Sequence, residues 1–257
     1  MQDGMPKIYS SLIQSRKDQS GKFIVLFDPD KLRLKKMEEI IHTSVEAGVD
    51  YFFIGGSLVV NDMLDQVLTD IKKSCEIPMI LFPGNSFQLS WRADAILFLS
   101  LISGRNADLL IGKHVITAPF LKLSPLEIIS TGYMLIDGGV QTSVSYMSNT
   151  SPIPADKNDI ALCTAIAGEL LGLKMIYMDA GSGAKAPVSL DMIETVSNGI
   201  NIPLLVGGGI KKPERAAATI AAGADAIVVG TAIENNPGLI REMAEAIHQQ
   251  KKVIKNA

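Results

Sequence analysis

KMIYMDAGSG (174–183) joins a short apolar run to a glycine-rich turn, and the same pairing recurs in IPLLVGGGI (202–210) and DAIVVGT (225–231). The three segments follow one another at intervals of about 25 to 30 residues. Each apolar run reads as a strand that lacks polar/apolar alternation, the pattern of a parallel strand buried on both faces. Glycine lets backbone N–H groups approach a ligand with no Cβ in the way. Such turns at the ends of successive parallel strands form a phosphate cup, which in a (β/α)₈ barrel follows strands seven and eight.

The same grammar extends toward the N-terminus. FIVLF (23–27), YFFI (51–54), IPMILF (77–82), AILFLS (95–100) and GYMLID (132–137) supply five further strand candidates, making eight with the three above. Helical stretches are expected over 32–47, 61–73, 106–123, 159–171, 190–197, 213–222 and 237–250, and a loop with a short helix carrying Trp91 between the third and fourth strands. Strict alternation implies parallel strands joined by right-handed crossovers. Eight repeats in this length favour a single α/β domain over 1–257, a (β/α)₈ TIM barrel of the phosphate-binding type, over an open doubly wound sheet. Residues 1–22 read as a polar N-terminal segment. Residues 138–158 form the one long irregular stretch, in which QTSVSYMS suggests a small hairpin and the position after strand five suggests a lid.

Composition narrows the function. Hydrophobic residues make up 47% of the 257 and charged residues 20%, enough for a large core, while the net charge of −3 and 5% aromatic content argue against nucleic-acid binding. Cys75 and Cys163 have no metal-ligand spacing and read as reduced thiols. With no apolar leader and no run near the ~20 residues that span a bilayer, a cytoplasmic protein is expected.

Asp28 and Asp30 directly follow strand one, where a carboxylate points into the barrel mouth. Magnesium takes one or two carboxylates and completes its shell with water and substrate phosphate. Asp28 suits such an ion, and Ser57, after Gly55 and Gly56 on the neighbouring strand, is placed to join it; capping of the following helices is the alternative for these residues. Tyr177 and Asp179 are two apart on a strand and share a face. Asp179 is the candidate base for a substrate hydroxyl and Tyr177 a donor to the ligand, with packing inside the barrel the other reading of Tyr177. Gly181, Ser182 and Gly183 offer N–H groups to a phosphate. His42 and His248 read as structural, and His114 is a candidate to face the site. Lys185 is the lysine next to the cup that a Schiff-base lyase or sugar-phosphate isomerase would need. A flavin-binding or phosphate-sensing barrel is a further alternative.

FDPDK (27–31), IGGS (54–57), SPIPADK (151–157), YMDAGSGA (177–184), VGGGI (206–210) and VVGTA (228–232), in this order, resemble the geranylgeranylglyceryl phosphate synthase family, with its bacterial heptaprenylglyceryl relatives. The resemblance implies ether formation between the 3-hydroxyl of sn-glycerol 1-phosphate and a long prenyl diphosphate, geranylgeranyl diphosphate being the first choice. It implies Mg²⁺ at Asp28 and Ser57. It places glycerol 1-phosphate against Tyr177, Met178, Asp179, Ala180, Gly181, Ser182 and Gly183, against Gly208 and Gly209, and against Gly230 and Thr231. It also implies a homo-oligomer, dimer or hexamer, with transient membrane proximity through the lipid product. AILFLSLI and the residues around Trp91 are candidates to border the prenyl groove. The family commonly has Glu where this chain has Asp179, so the carboxylate here sits on a shorter arm.

Overall fold

The structure, a computed structural model, describes residues 7–29, 34–56 and 63–252. Eight parallel strands close into a barrel in sequence order. They are β1 (Lys22–Phe27), β2 (Tyr51–Ile54), β3 (Met79–Leu81), β4 (Ala95–Leu101), β5 (Glu127–Leu135), β6 (Met175–Asp179), β7 (Leu204–Gly207) and β8 (Ala226–Val229). Helices α1 (Lys7–Lys17), α2 (Leu34–Ala47), α3 (Leu64–Ser74), α4 (Lys113–Leu123), α5 (Ser143–Ser148), α6 (Asn158–Leu170), α7 (Leu190–Gly199), α8 (Pro213–Ala221), α9 (Thr231–Asn235) and α10 (Leu239–Gln249) accompany them.

Each strand feeds two apolar layers, because successive side chains alternate between faces. Ile24, Phe53, Met175, Tyr177 and Leu205 fill the barrel interior, whereas Phe23, Phe52, Ile176, Met178 and Val206 pack outward against the helices. This double burial is why the strand runs look uniformly apolar.

Strand β5 begins at Glu127, five residues before the expected run, α9 is an additional short helix, and three further elements differ from expectation. The N-terminal segment, read as merely polar, contains α1, whose Ile8 and Leu12 join the interior cluster at the barrel's N-terminal end. Glu127, at the start of β5, accepts hydrogen bonds from the amides of Ile8 and Tyr9 at 2.9 and 2.8 Å, satisfying donors that the first helical turn leaves open. Arg16 donates to buried Asp225 at 2.9 Å, pinning the other end of α1. Only two of its eleven residues are large buried apolar groups, so the helical period is faint in the sequence. The suspected hairpin at QTSVSYMS is instead α5. The Thr142 hydroxyl caps the Ser145 amide and the Ser145 hydroxyl returns to the Thr142 amide, a reciprocal pair that starts a helix. Finally, the connection from β3 to β4 forms turns with no helix. A barrel normally covers each strand pair with a helix, and the gap left here shapes the site.

Candidate active site

The C-terminal ends of β6, β7 and β8 carry the glycine turns predicted to bind phosphate, and they converge. Gly181, Ser182, Gly183, Gly208, Gly209, Gly230 and Thr231 all line one cleft of about 390 Å³, within the usual range for a ligand site. The Ser182 and Thr231 hydroxyls are 3.1 Å apart, tying the β6 turn to the β8 turn. Gly208 has φ +79°, and a Cβ there would stand 2.6 Å from Asp179 Oδ1 and from the amide nitrogens of Ala180 and Gly181. Only glycine lets these backbone segments close on one another. Met178 and Ala180, although within the same motif, bury their side chains in the outer apolar layer and do not line the cleft. Strand alternation leaves them only the backbone to offer.

Asp179 and Tyr177 both face inward and line the cleft. Asp179 is buried. Its Oδ1 accepts the Gly181 amide at 2.7 Å, and its Oδ2 accepts the Tyr133 hydroxyl at 2.7 Å. Burial raises the Asp179 carboxyl above the ordinary aspartate value, opposed by these two hydrogen bonds. Each carboxylate oxygen retains a second lone pair, so the group can still take a proton. Burial and the adjacent Asp179 charge push the Tyr133 and Tyr177 phenols well up, which keeps both as donors. Their rings pack edge to face, centroids 5.4 Å apart, over Phe82.

Tyr133 is the residue the sequence reading missed. It pairs in register with Tyr177 across β5 and β6. The available signal was the repeated Tyr-Met in GYMLID and KMIYMD, placed alike on neighbouring strands. Replacing Tyr133 by Phe is expected to move the acidic limb of the kcat/KM profile about one pH unit or more upward. The base must be ionised, and the lost hydrogen bond favoured the ionised form by about 1.5–3 kcal/mol. A Tyr133 that only packs would lower the melting temperature and leave the limb in place.

Asp28, half-buried at the end of β1, also lines the cleft. Its carboxylate faces Gly56, where a Cβ would stand 3.4 Å away. Glycine therefore leaves room beside the carboxylate. Ser57, Asp30 and Lys31 lie outside the described residues. Among the described residues no group of three or more His, Cys, Asp or Glu side chains could hold a metal. A single hard oxygen ligand fits a magnesium ion whose other positions are taken by water and substrate phosphate.

From the cup the cleft continues into the gap left by the missing helix after β3. Leu89, Ile96, Phe98 and Leu109 line this arm with the inward face of α4, His114, Thr117 and Leu121. Val144 and Met147 of α5 border it, so the 138–158 segment does reach the site. His114 is buried, its Nε2 3.2 Å from the Ser100 hydroxyl and its ring edge-on to Phe98, and burial lowers its pKa. Trp91 is not part of the groove. It is more than half exposed and borders a separate surface hollow with Lys72, Lys73 and Arg92. Lys185 does not line the cleft, whereas Lys211, directly after the GGGI turn, does.

The sequence pattern of the PcrB family matches residues 14–251. The chain belongs to the PcrB family. It is 52% identical over 249 residues to the geranylgeranylglyceryl phosphate synthase of Chitinophaga pinensis, covering 97% of this chain and 99% of that one. The synthase of the same name from Thermococcus kodakarensis is 38% identical over 244 residues, 95% and 96% of the two chains. Among solved structures, (S)-3-O-geranylgeranylglyceryl phosphate synthase of Thermoplasma acidophilum, in complex with its substrate sn-glycerol-1-phosphate, superposes with a TM-score of 0.88. It is 30% identical and covers 94% of this chain and 98% of its own. The tryptophan synthase alpha subunit of Legionella pneumophila, at 16% identity and a TM-score of 0.58, shares the barrel alone. For a PcrB-family chain, the resemblance in the sequence and the closed barrel agree.

Proposed function

We propose that this PcrB-family protein transfers a long prenyl group from its diphosphate to the 3-hydroxyl of sn-glycerol 1-phosphate. One observation carries the reading: a single cleft joins a backbone phosphate cup, a buried carboxylate and an apolar groove, in that order. The cup amides take the phosphate of the acceptor, helped by the positive ends of the peptide dipoles around it. The glycerol hydroxyl then lies toward Asp179. Its oxygen forms a bond to C1 of the prenyl group as the bond from C1 to the diphosphate oxygen breaks. The electron pair leaves with the diphosphate, and the hydroxyl proton passes to Asp179. Tyr133 and the Gly181 amide hold the carboxylate in position for this. The buried aromatic floor keeps water from competing for C1.

Asp28, with Ser57, which follows Gly56 after the neighbouring strand, would hold Mg²⁺, which when bound neutralises charge on the departing diphosphate. The closeness of the T. acidophilum synthase, crystallised with sn-glycerol-1-phosphate, supports the acceptor. The test is direct. Purified protein with sn-glycerol 1-phosphate, Mg²⁺ and prenyl diphosphates of graded length should yield a phosphorylated ether lipid detectable by mass spectrometry. No product at any length would overturn the assignment.

The groove sets a further expectation. Leu121 lies eight residues beyond Lys113 on α4, about 12 Å farther along the helix at 1.5 Å per residue, and both line the groove. Leu121→Trp should fill that far end. The ratio of kcat/KM for geranylgeranyl over farnesyl diphosphate should fall about tenfold, a loss on the scale of one or two contacts in an apolar pocket. An unchanged ratio would place the tail elsewhere.

A further inference from the structure

Close to the phosphate cup, Arg215 carries a charge that its own surroundings leave unbalanced. It is the third residue of α8, six positions after Gly209. A positive charge in the first turn of a helix opposes the helix dipole. The side chain is half-buried, and burial lowers its pKa with no carboxylate among the described residues opposing that shift. The guanidinium stays charged all the same. Its Nε is buried and has no hydrogen-bond partner among the described residues, and a buried donor left open is costly. Its Nη2 donates to the carbonyl of Val188, in the connection from β6 to α7.

That carbonyl belongs to a segment on which the cup rests. The amides of Lys185 and Ala186 donate to the Gly138 carbonyl at 2.9 and 3.2 Å, fixing one end of the segment just beyond β5. Val188, buried in the outer apolar layer, is the other end. Between them, Ala186 and Pro187 pack against Gly209, where a Cβ would stand 2.9 Å from the Pro187 nitrogen and 3.1 Å from the Ala186 oxygen. Arg215 thus reaches the GGGI turn through residues in direct contact. Positive charge is scarce there. Among the described residues, Asp28, Asp179 and Glu234 line the cleft, against Lys211 at the cup and Lys113 on α4, along the apolar arm. The cup itself offers neutral N–H groups to a phosphate dianion. We infer that Arg215 is a positioning residue for that phosphate: it holds residues 185–188 against Gly209 through the Val188 carbonyl, and its unpaired charge stands behind the turn as counterion to the ligand. A charge set partly inside the protein is screened less than one in water. This role rests on the reading of the cup as a phosphate site and not on prenyl transfer.

Calorimetric titration of the full chain with sn-glycerol 1-phosphate, with no prenyl diphosphate present, reads the role directly. Arg215→Met should raise the dissociation constant about tenfold, the scale of one charged hydrogen bond. Arg215→Gln keeps a donor for the Val188 carbonyl but loses the charge, and should raise it about fivefold. Arg215→Lys keeps both and should stay within about threefold of wild type. Added salt should weaken binding by wild type and Arg215→Lys more than by Arg215→Gln. In turnover, KM for the acceptor should follow these constants, while kcat and KM for the prenyl diphosphate stay within about twofold. A brace that serves folding alone would lower the melting temperatures and leave the acceptor constants equal, which would overturn the role. Gln and Lys variants of equal affinity would also overturn it, an outcome that stays readable if Arg215→Met does not fold. A wild type that binds sn-glycerol 1-phosphate and forms no ether lipid would overturn the transfer and leave Arg215 its role; one that binds no acceptor would overturn both.

Discussion

Asp179→Asn is expected to lower kcat by about 10²- to 10⁴-fold, the range that a positioned general base supplies, while the dissociation constant for sn-glycerol 1-phosphate changes only a few-fold. The substitution keeps an oxygen for the Gly181 amide and preserves the side-chain shape against Gly208. The cup therefore survives and the proton acceptor does not. Single-turnover rates and calorimetric titration separate the two effects. Turnover equal to wild type would remove Asp179 from the role of base and leave it as a brace for the β6 turn. The pH dependence follows from its surroundings. Because burial holds the Asp179 carboxyl above the ordinary value, activity should rise with pH through that raised value and fall away on the acid side, where the base is protonated. The limb in the wild type should therefore lie above the pH at which an exposed aspartate titrates.

Asp28→Ala should cost about 10³-fold in Mg²⁺-dependent turnover, since charge neutralisation of a leaving diphosphate is worth several kcal/mol. Its melting temperature should stay close to wild type. The side chain is half-buried at the cleft wall, outside both apolar clusters, so little packing is lost with it. Raising Mg²⁺ to millimolar levels should not restore the rate if the carboxylate is the protein's anchor for the ion. A fall of more than several degrees in melting temperature would instead mark Asp28 as a structural residue of the first βα turn.

Particular residues show how far the reading of the chain reached. YFFI at 51–54 coincides with β2, and the runs at 23–27, 95–100 and 174–179 match their strands to within one residue at either end. Burial on both faces demands unbroken apolar runs, and few other structures produce eight of them in alternation with helices. The glycine turns were equally plain, because a backbone that must bend at φ +79° beside a carboxylate admits no side chain. The elements that escaped are those whose signal is not periodic. Helix α1 earns its place through two side chains and a carboxylate 118 residues away. Helix α5 is started by a local exchange of hydroxyl and amide that a hairpin reading of alternating polar residues conceals.

The site divides along the same line. Which residues could do the chemistry was determined by the chain itself: a carboxylate and a phenol two apart on a strand, glycines at strand ends, an aspartate after β1. Their mutual reach was decided only by closure of the barrel. It sets Tyr133 of β5 beside Asp179 of β6, substitutes Lys211 for Lys185 at the cleft wall, and leaves α4 facing an uncovered gap after β3. The physical reason is that chemistry belongs to residue types and local spacing, whereas hydrogen bonds and cavities depend on distances between strands that the linear order does not contain.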